Sequence, residues 1–177
     1  MIRYTAFLRG INVSGQKLIK MEDLKKIFLS MGFKNVQTYI QSGNVVFDTS
    51  GLNHDVLHKR IEKELNKSLG YGVVTILRTI TEIERIINNN PFKKEKIEGE
   101  TKFYVTMLAE KPTSKQKKEL ESFKDNVDKF KIINREVYIL CYKGYGKSVF
   151  SNNFIEKKLG MPATSRNWNT INKILKV

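Results

Sequence analysis

"VQTYIQSGNVVFD", residues 36–48, decides the fold. Two β-rich runs flank Ser42-Gly43, and such a pair across a glycine-bearing turn reads as a hairpin. Upstream, Met21, Leu24, Ile27, Phe28 and Met31 recur at helical spacing, with Gly32 placed as a C-cap glycine. Downstream, a second helix starts near Asn53, carries Leu57, Ile61 and Leu65 on one stripe, and ends at Gly70. "YTAFL" (4–8) precedes the first helix and "VVTIL" (73–77) follows the second. The order is β-α-β-β-α-β, the ferredoxin-like arrangement.

The rest of the chain repeats this grammar. Thr81 and Glu84 suit a capping box for a short helix that Pro91 terminates. "KFYVTML" (102–108) reads as a strand, and Thr113 with Gln116 caps a helix bearing Leu120 and Phe123. "KFKII" and "EVYILCY" form a second hairpin across Asn134-Arg135, a helix over 150–159 ends at Gly160, and a last helix runs from Trp168 to Leu175. The expected fold is α+β, with two ferredoxin-like βαββα subdomains (1–90 and 91–177), antiparallel sheets packed together as one structural unit, and a C-terminal helix.

Composition narrows the partners. At 177 residues, 40% hydrophobic and 28% charged, the chain is long enough for a sizeable core. No apolar run approaches the ~18 residues of a membrane span, and "MIRYTAFLRGINVSG" has no secretory h-region, so a cytoplasmic protein without membrane contact is expected. The lone Cys141 excludes an intrachain disulfide and a cysteine zinc cage. The net charge is +14, and it is unevenly placed. Residues 1–20 hold Arg3, Arg9, Lys17 and Lys20 with no acid; residues 141–177 hold Lys143, Lys147, Lys157, Lys158, Arg166, Lys173 and Lys176 against Glu156 alone. Basic ends favour an anionic partner. A lysine-rich background accounts for the lysines but not for the missing acids.

Several stretches carry candidate chemistry, each with a plainer reading beside it. "KGYGKS" (143–148) lies between a strand and a helix, where Lys147 and Ser148 could cradle an anion. A Walker A loop is excluded because Cys141 stands where its first glycine belongs. A turn with Ser148 as helix N-cap explains the same residues. His54 and His58 share a helix face, but no third histidine exists, so no metal or other cofactor is expected. In "LRGIN" (8–12), Arg9 and Asn12 leave the first strand, and Arg9 either forks onto an anion or pins the loop. Gln41, Ser42 and Asn44 are a candidate polar pocket or simply turn residues. In "ATSRNWNTI" (163–171), Trp168, Ile171, Ile174 and Leu175 share a helix face, and Thr164 or Asn167 suits the N-cap. Arg166 is left over at a helix N-terminus, where a cation is disfavoured, so Arg166 with Asn167 is the leading anion-site candidate.

Together, "YTAFLRGINVSG", "IKMEDLK", "TYIQSGNVVF", "KGYGKS" and "ATSRNWNTI" resemble the signature blocks of the bacterial family known as domain of unknown function 1697. The blocks run from residue 4 to residue 171 in the family's order. The family pattern has a second lysine after the serine of "KGYGKS", where this chain has Val149. The resemblance implies an α+β protein with ferredoxin-like subdomains, and brings no established activity or catalytic residues.

Three functions compete. The first is a binding module for an anionic partner, whether nucleic acid, a nucleotide or a phosphorylated metabolite, with Arg9, Lys147 and Arg166 at its centre. The second is an enzyme on a small phosphorylated or carboxylated substrate, which lacks an evident general base. The third is an interaction protein with no small ligand. The basic footprint favours the first. Oligomeric state is not legible.

Overall fold

A computed structural model of the chain describes residues 1–13, 15–51, 53–123 and 128–177; Ser14 of the loop after the first strand lies outside them. The chain divides into two compact units, Met1–Glu84 with Lys173–Val177, and Arg85–Asn172. Among the described residues no helix is long and apolar enough to cross a membrane.

The first unit contains β1 (Ile2–Leu8), α1 (Met21–Ser30), β2 (Lys34–Tyr39), β3 (Asn44–Thr49), α2 (His54–Leu69) and β4 (Thr75–Thr79). Its sheet has the order β2-β3-β1-β4 with every pairing antiparallel. That is the ferredoxin-like topology the hairpin implied. Strand alternation turns Tyr4, Ala6 and Leu8 with Val45, Phe47 and Leu77 onto the helices, where Leu24, Phe28, Leu57, Ile61 and Leu65 meet them. Phe47 is the hub: its ring lies 4.5 Å from Phe33, 5.4 Å from Phe28 and 6.0 Å from Tyr4. The other sheet face, with Thr5, Phe7, Asn44, Val46 and Arg78, is also buried. Asn53 caps α2 by accepting from the Asp55 N–H, and Gly70 closes it in the left-handed conformation.

The second unit contains β5 (Lys102–Leu108), α4 (Ser114–Ser122), β6 (Lys129–Ile133), β7 (Glu136–Cys141), α5 (Asn152–Leu159) and β8 (Ala163–Asn167). Its order, β6-β7-β5-β8, repeats that of the first sheet. The sequence reading missed β8. "ATSRN" has neither an apolar run nor an apolar alternation, and in sequence it reads as the lead into the last helix. Its partner supplies the reason it is a strand, because it pairs along β5 from Leu108↔Ala163 to Tyr104↔Asn167. The first unit has the same register, Leu8↔Thr75 to Tyr4↔Thr79, so Arg78 and Arg166 occupy equivalent places. Phe103, Val105, Met107, Tyr138 and Leu140, on the face away from α4 and α5, are buried as well.

Each fourth strand runs straight into a helix, α3 (Ile80–Asn88) after β4 and α6 (Trp168–Ile174) after β8. β4 extends to Thr79, so the capping pair of α3 is Thr79 with Glu82 rather than Thr81 with Glu84. The Thr113–Gln116 box at α4 is present as expected. Leu175 lies past the end of α6 and is exposed.

An ion pair within α2, His58 with Glu62, grips the Thr75 backbone of β4. His58 Nε2 is 2.7 Å from the Thr75 carbonyl and 3.1 Å from Glu62 Oε1, which accepts from the Thr75 N–H at 2.8 Å. The hydrogen bond to Glu62 raises the His58 pKa. Burial pushes the Glu62 carboxyl up, but the bonds from His58 and Thr75 outweigh it and hold it below its ordinary value. The His58 contribution is therefore complete below the ordinary histidine pKa and lost as pH rises through the raised one. The Glu62 contribution is present above the ordinary carboxylate pKa and lost as pH falls through the lowered one. Urea melts across pH 5–8 should show stability falling toward the alkaline side, and His58→Gln should flatten that fall. An unchanged slope in the variant would remove the pair from the account.

Candidate functional site

The loop after β1, the start of α1, the β2–β3 turn and the end of α2 enclose an open cavity of about 1040 Å³. Asn12 holds it together. At φ 53° its backbone is left-handed, a conformation asparagine tolerates better than most residues. Its Nδ2 donates to the carbonyls of Ile19 (3.0 Å) and Gln41 (2.9 Å), while its Oδ1 accepts from the Ile19 N–H at 2.8 Å. These bonds fasten the β1–α1 loop to α1's approach and to the hairpin turn. On the loop's far side Lys17 donates to the Gly72 carbonyl and lies 5.2 Å over the Tyr71 ring.

The cavity's walls are largely apolar, from Leu18, Ile19, Met21, Ile27 and Leu69. Gln41 stands exposed at the rim. α1 begins there with Lys20 as its N-cap, and no side chain caps it. Its first turn, Met21–Asp23, lines the cavity without an N-cap side-chain acceptor, and the Asp23 N–H bonds the Lys20 carbonyl at 3.1 Å. The charged lining is mixed: Lys20 and Lys26 face Glu22 and Asp23, and Lys26 is paired with Asp23 at 3.2 Å.

The other candidates of this unit lie elsewhere. Arg9 is half-buried beside the loop, its N–H bonded to the Val74 carbonyl, and does not line the cavity. Asn44 is buried; its Nδ2 donates to the Tyr39 carbonyl at 2.8 Å and to Ser42 Oγ at 3.1 Å, which closes the turn. Gly43 adopts φ +74° directly under Ile11.

In the second unit "KGYGKS" forms a short 3-10 turn, Tyr145–Lys147, with Lys147 exposed. Only Gly144 of its two glycines has a positive φ. Ser148 accepts from the Phe150 N–H, and the N-cap of α5 is Ser151, not Ser148, because the helix begins later than the glycine turn suggested. Beside it, burial pushes the Cys141 thiol up to about 11, which makes it an inert core residue. Tyr145 stacks on Tyr104 at 4.2 Å and donates to Ser165 Oγ at 2.9 Å; Ser165 also bonds Thr106 and Asn152. This network joins the turn to β8 and carries no sequence signature.

Arg166 is 7% exposed within β8, and Thr164 beside it is a strand residue rather than a cap. The Arg166 guanidinium donates to Thr164 Oγ1 at 2.8 Å and to the Ser165 carbonyl at 2.9 Å. Desolvation by burial lowers its pKa to about 10, with Tyr145 acting in the opposite direction, so it stays charged at neutral pH. Asn167 Oδ1 accepts from the Asn169 N–H and turns the chain from β8 into α6. Among the described residues no group of three or more His, Cys, Asp and Glu is placed to hold a metal.

Comparison with known proteins follows the fold. The family model described as "Protein of unknown function (DUF1697)" matches residues 1–138. A solved structure titled "The structure of conserved bacterial protein SP0830 from Streptococcus pneumoniae" is similar, with a TM-score of 0.77 at 21% identity. The match covers 99% of this chain and 97% of that one, and at this identity it is a likeness of fold. No curated protein matches the sequence.

Proposed function

We propose, from the premise that the chain belongs to the DUF1697 family of proteins of unknown function, that it binds a small amphipathic organic anion in the cavity of its first unit. The observation that carries the reading is the meeting of an apolar cavity of about 1040 Å³ with the uncapped start of α1 and Lys20. The volume sits at the top of the ~300–1,000 Å³ range of small-molecule sites. An apolar body would lie against Leu18, Ile19, Ile27 and Leu69, and one anionic head would meet the helix N-terminus and the Lys20 ammonium.

The mixed lining selects the head group. Glu22 and Asp23 in the same turn would repel a chain of phosphates, so a single carboxylate or phosphate suits the site better than nucleic acid. Base stacking on an open ferredoxin-like sheet does not fit either, since the sheet faces away from the helices are buried.

The test is isothermal titration at near-physiological salt with medium-chain carboxylates and alkyl phosphates, beside inorganic phosphate and oligonucleotides. Amphipathic anions should bind and inorganic phosphate should not. Lys20→Ala should weaken binding by about 1 kcal/mol, about fivefold, as expected for an exposed charged contact. Leu18, 73% exposed, can be changed to Asp without disturbing the core, and that variant should lose binding. Amphipathic anions that bind both variants as tightly as the unaltered chain, or that bind neither it nor them, would sink the reading.

A further inference from the structure

We infer that the second unit carries a site for a single nucleobase, where β8 turns into α6. A cavity of about 210 Å³ lies there, walled by Phe103 and Trp168 and bordered by Thr101, Lys102, Asn167 and Asn169. It is smaller than the ~300–1,000 Å³ of drug-sized pockets and suits one ring system. The two aromatic rings stack at 4.5 Å and 30°, and Trp168 stays partly exposed while Phe103 is buried beneath it. A flat heteroaromatic ring can extend this stack, and every base offers the π-face required.

The polar groups at the rim are uncommitted. Among the described residues the Thr101 hydroxyl, the Lys102 ammonium, the Trp168 indole N–H and the Asn169 side-chain amide make no hydrogen bond or ion pair. Asn167 uses its Oδ1 for the turn and keeps its amide N–H groups for other partners. An Asn amide presents a donor and an acceptor side by side, the pattern a base edge offers in return. The register Lys102↔Cys141 also brings the start of "KGYGKS" to this end of the sheet, so Lys143 follows just beyond the pairing. Lys102 and Lys143 would meet a phosphate attached to the base. Glu98 and Glu100 in the adjoining loop offset part of their charge, so stacking and edge contacts dominate and the affinity depends weakly on salt. The base can come from a free nucleotide or from a single strand; the chemistry is shared.

Trp168 is the chain's only tryptophan, so its emission reports on this site alone. The full chain is titrated with adenosine, uridine, their monophosphates, ribose 5-phosphate, and single- and double-stranded oligonucleotides, by fluorescence and by calorimetry. Nucleosides and nucleotides should change the emission saturably, and a threefold rise in salt should alter the nucleoside affinity less than twofold. Asn169→Ala, at an exposed position, should keep the melting temperature and weaken binding at least fivefold. A single strand that binds more tightly than the mononucleotide identifies a strand as the source; equal affinities identify a free nucleotide. The site is overturned if ribose 5-phosphate reproduces the change, if only duplexes bind, or if both methods stay silent to millimolar nucleoside.

Discussion

Phe47→Ala is expected to destabilise the first unit by about 3–5 kcal/mol, the range for removing a buried aromatic ring. Phe47 has no exposed surface, and three further rings, Phe33, Phe28 and Tyr4, close around it within 6.0 Å. It projects from β3 at the centre of the sheet onto the helices, so no solvent-side movement can fill the hole. For a unit of this size ~1 kcal/mol corresponds to roughly 4–8 °C, and the fall should exceed ten degrees. Differential scanning calorimetry reads it directly. A shift under about three degrees would mean that the aromatic cluster is not the anchor of this core.

The second large effect belongs to Gly43→Ala. At φ +74° any Cβ costs roughly 1–2 kcal/mol in backbone strain. Here the new carbon would also collide with Ile11, 2.7 Å from its Cγ1, and approach Leu8 Cβ to 3.1 Å. Overpacking of that kind adds about 1–3 kcal/mol. Gly51 supplies the control, since its φ is +76° with nothing within 4 Å. Gly51→Ala should therefore show the strain alone, and urea melts of the two variants separate strain from collision. Ile11 immediately precedes Asn12, so the displacement should loosen the cavity's clamp and weaken ligand binding in the Gly43 variant only. Equal costs for the two variants would show that Ile11 yields freely.

The elements built on periodicity were legible in the sequence. The helical stripes of α1 and α2, the glycine-turn hairpin and the Thr113–Gln116 cap each leave a local signal, and each stands as read. β8 left none, because its pairing with β5 is made between distant parts of the chain. The one clue was comparative: the first half had a fourth strand before a helix, and the second half should have had one too. The site was half legible. Asn12 and Gln41 were singled out as loop polar residues and do meet, but the amide of Asn12 is spent on the loop itself. In sequence Lys20 counts only toward the basic N-terminal segment and Met21 only toward the α1 stripe, and Leu69 gives no signal, since a helix end lining a cavity looks the same in sequence as one lining solvent. Arg166 drew attention by its charge, and residue type says nothing of burial.

The shared register of the two sheets amounts to one wiring diagram used twice, and the connections show where the copies part company. Between the first strand and first helix the leading copy spends residues 9–20, the trailing copy only 109–113. Only the longer connection is long enough to fold over, be pinned by an asparagine and leave a hollow beneath it. The scaffold is thus common property, and at this connection the copies differ by a loop that can lengthen without disturbing a single ladder bond.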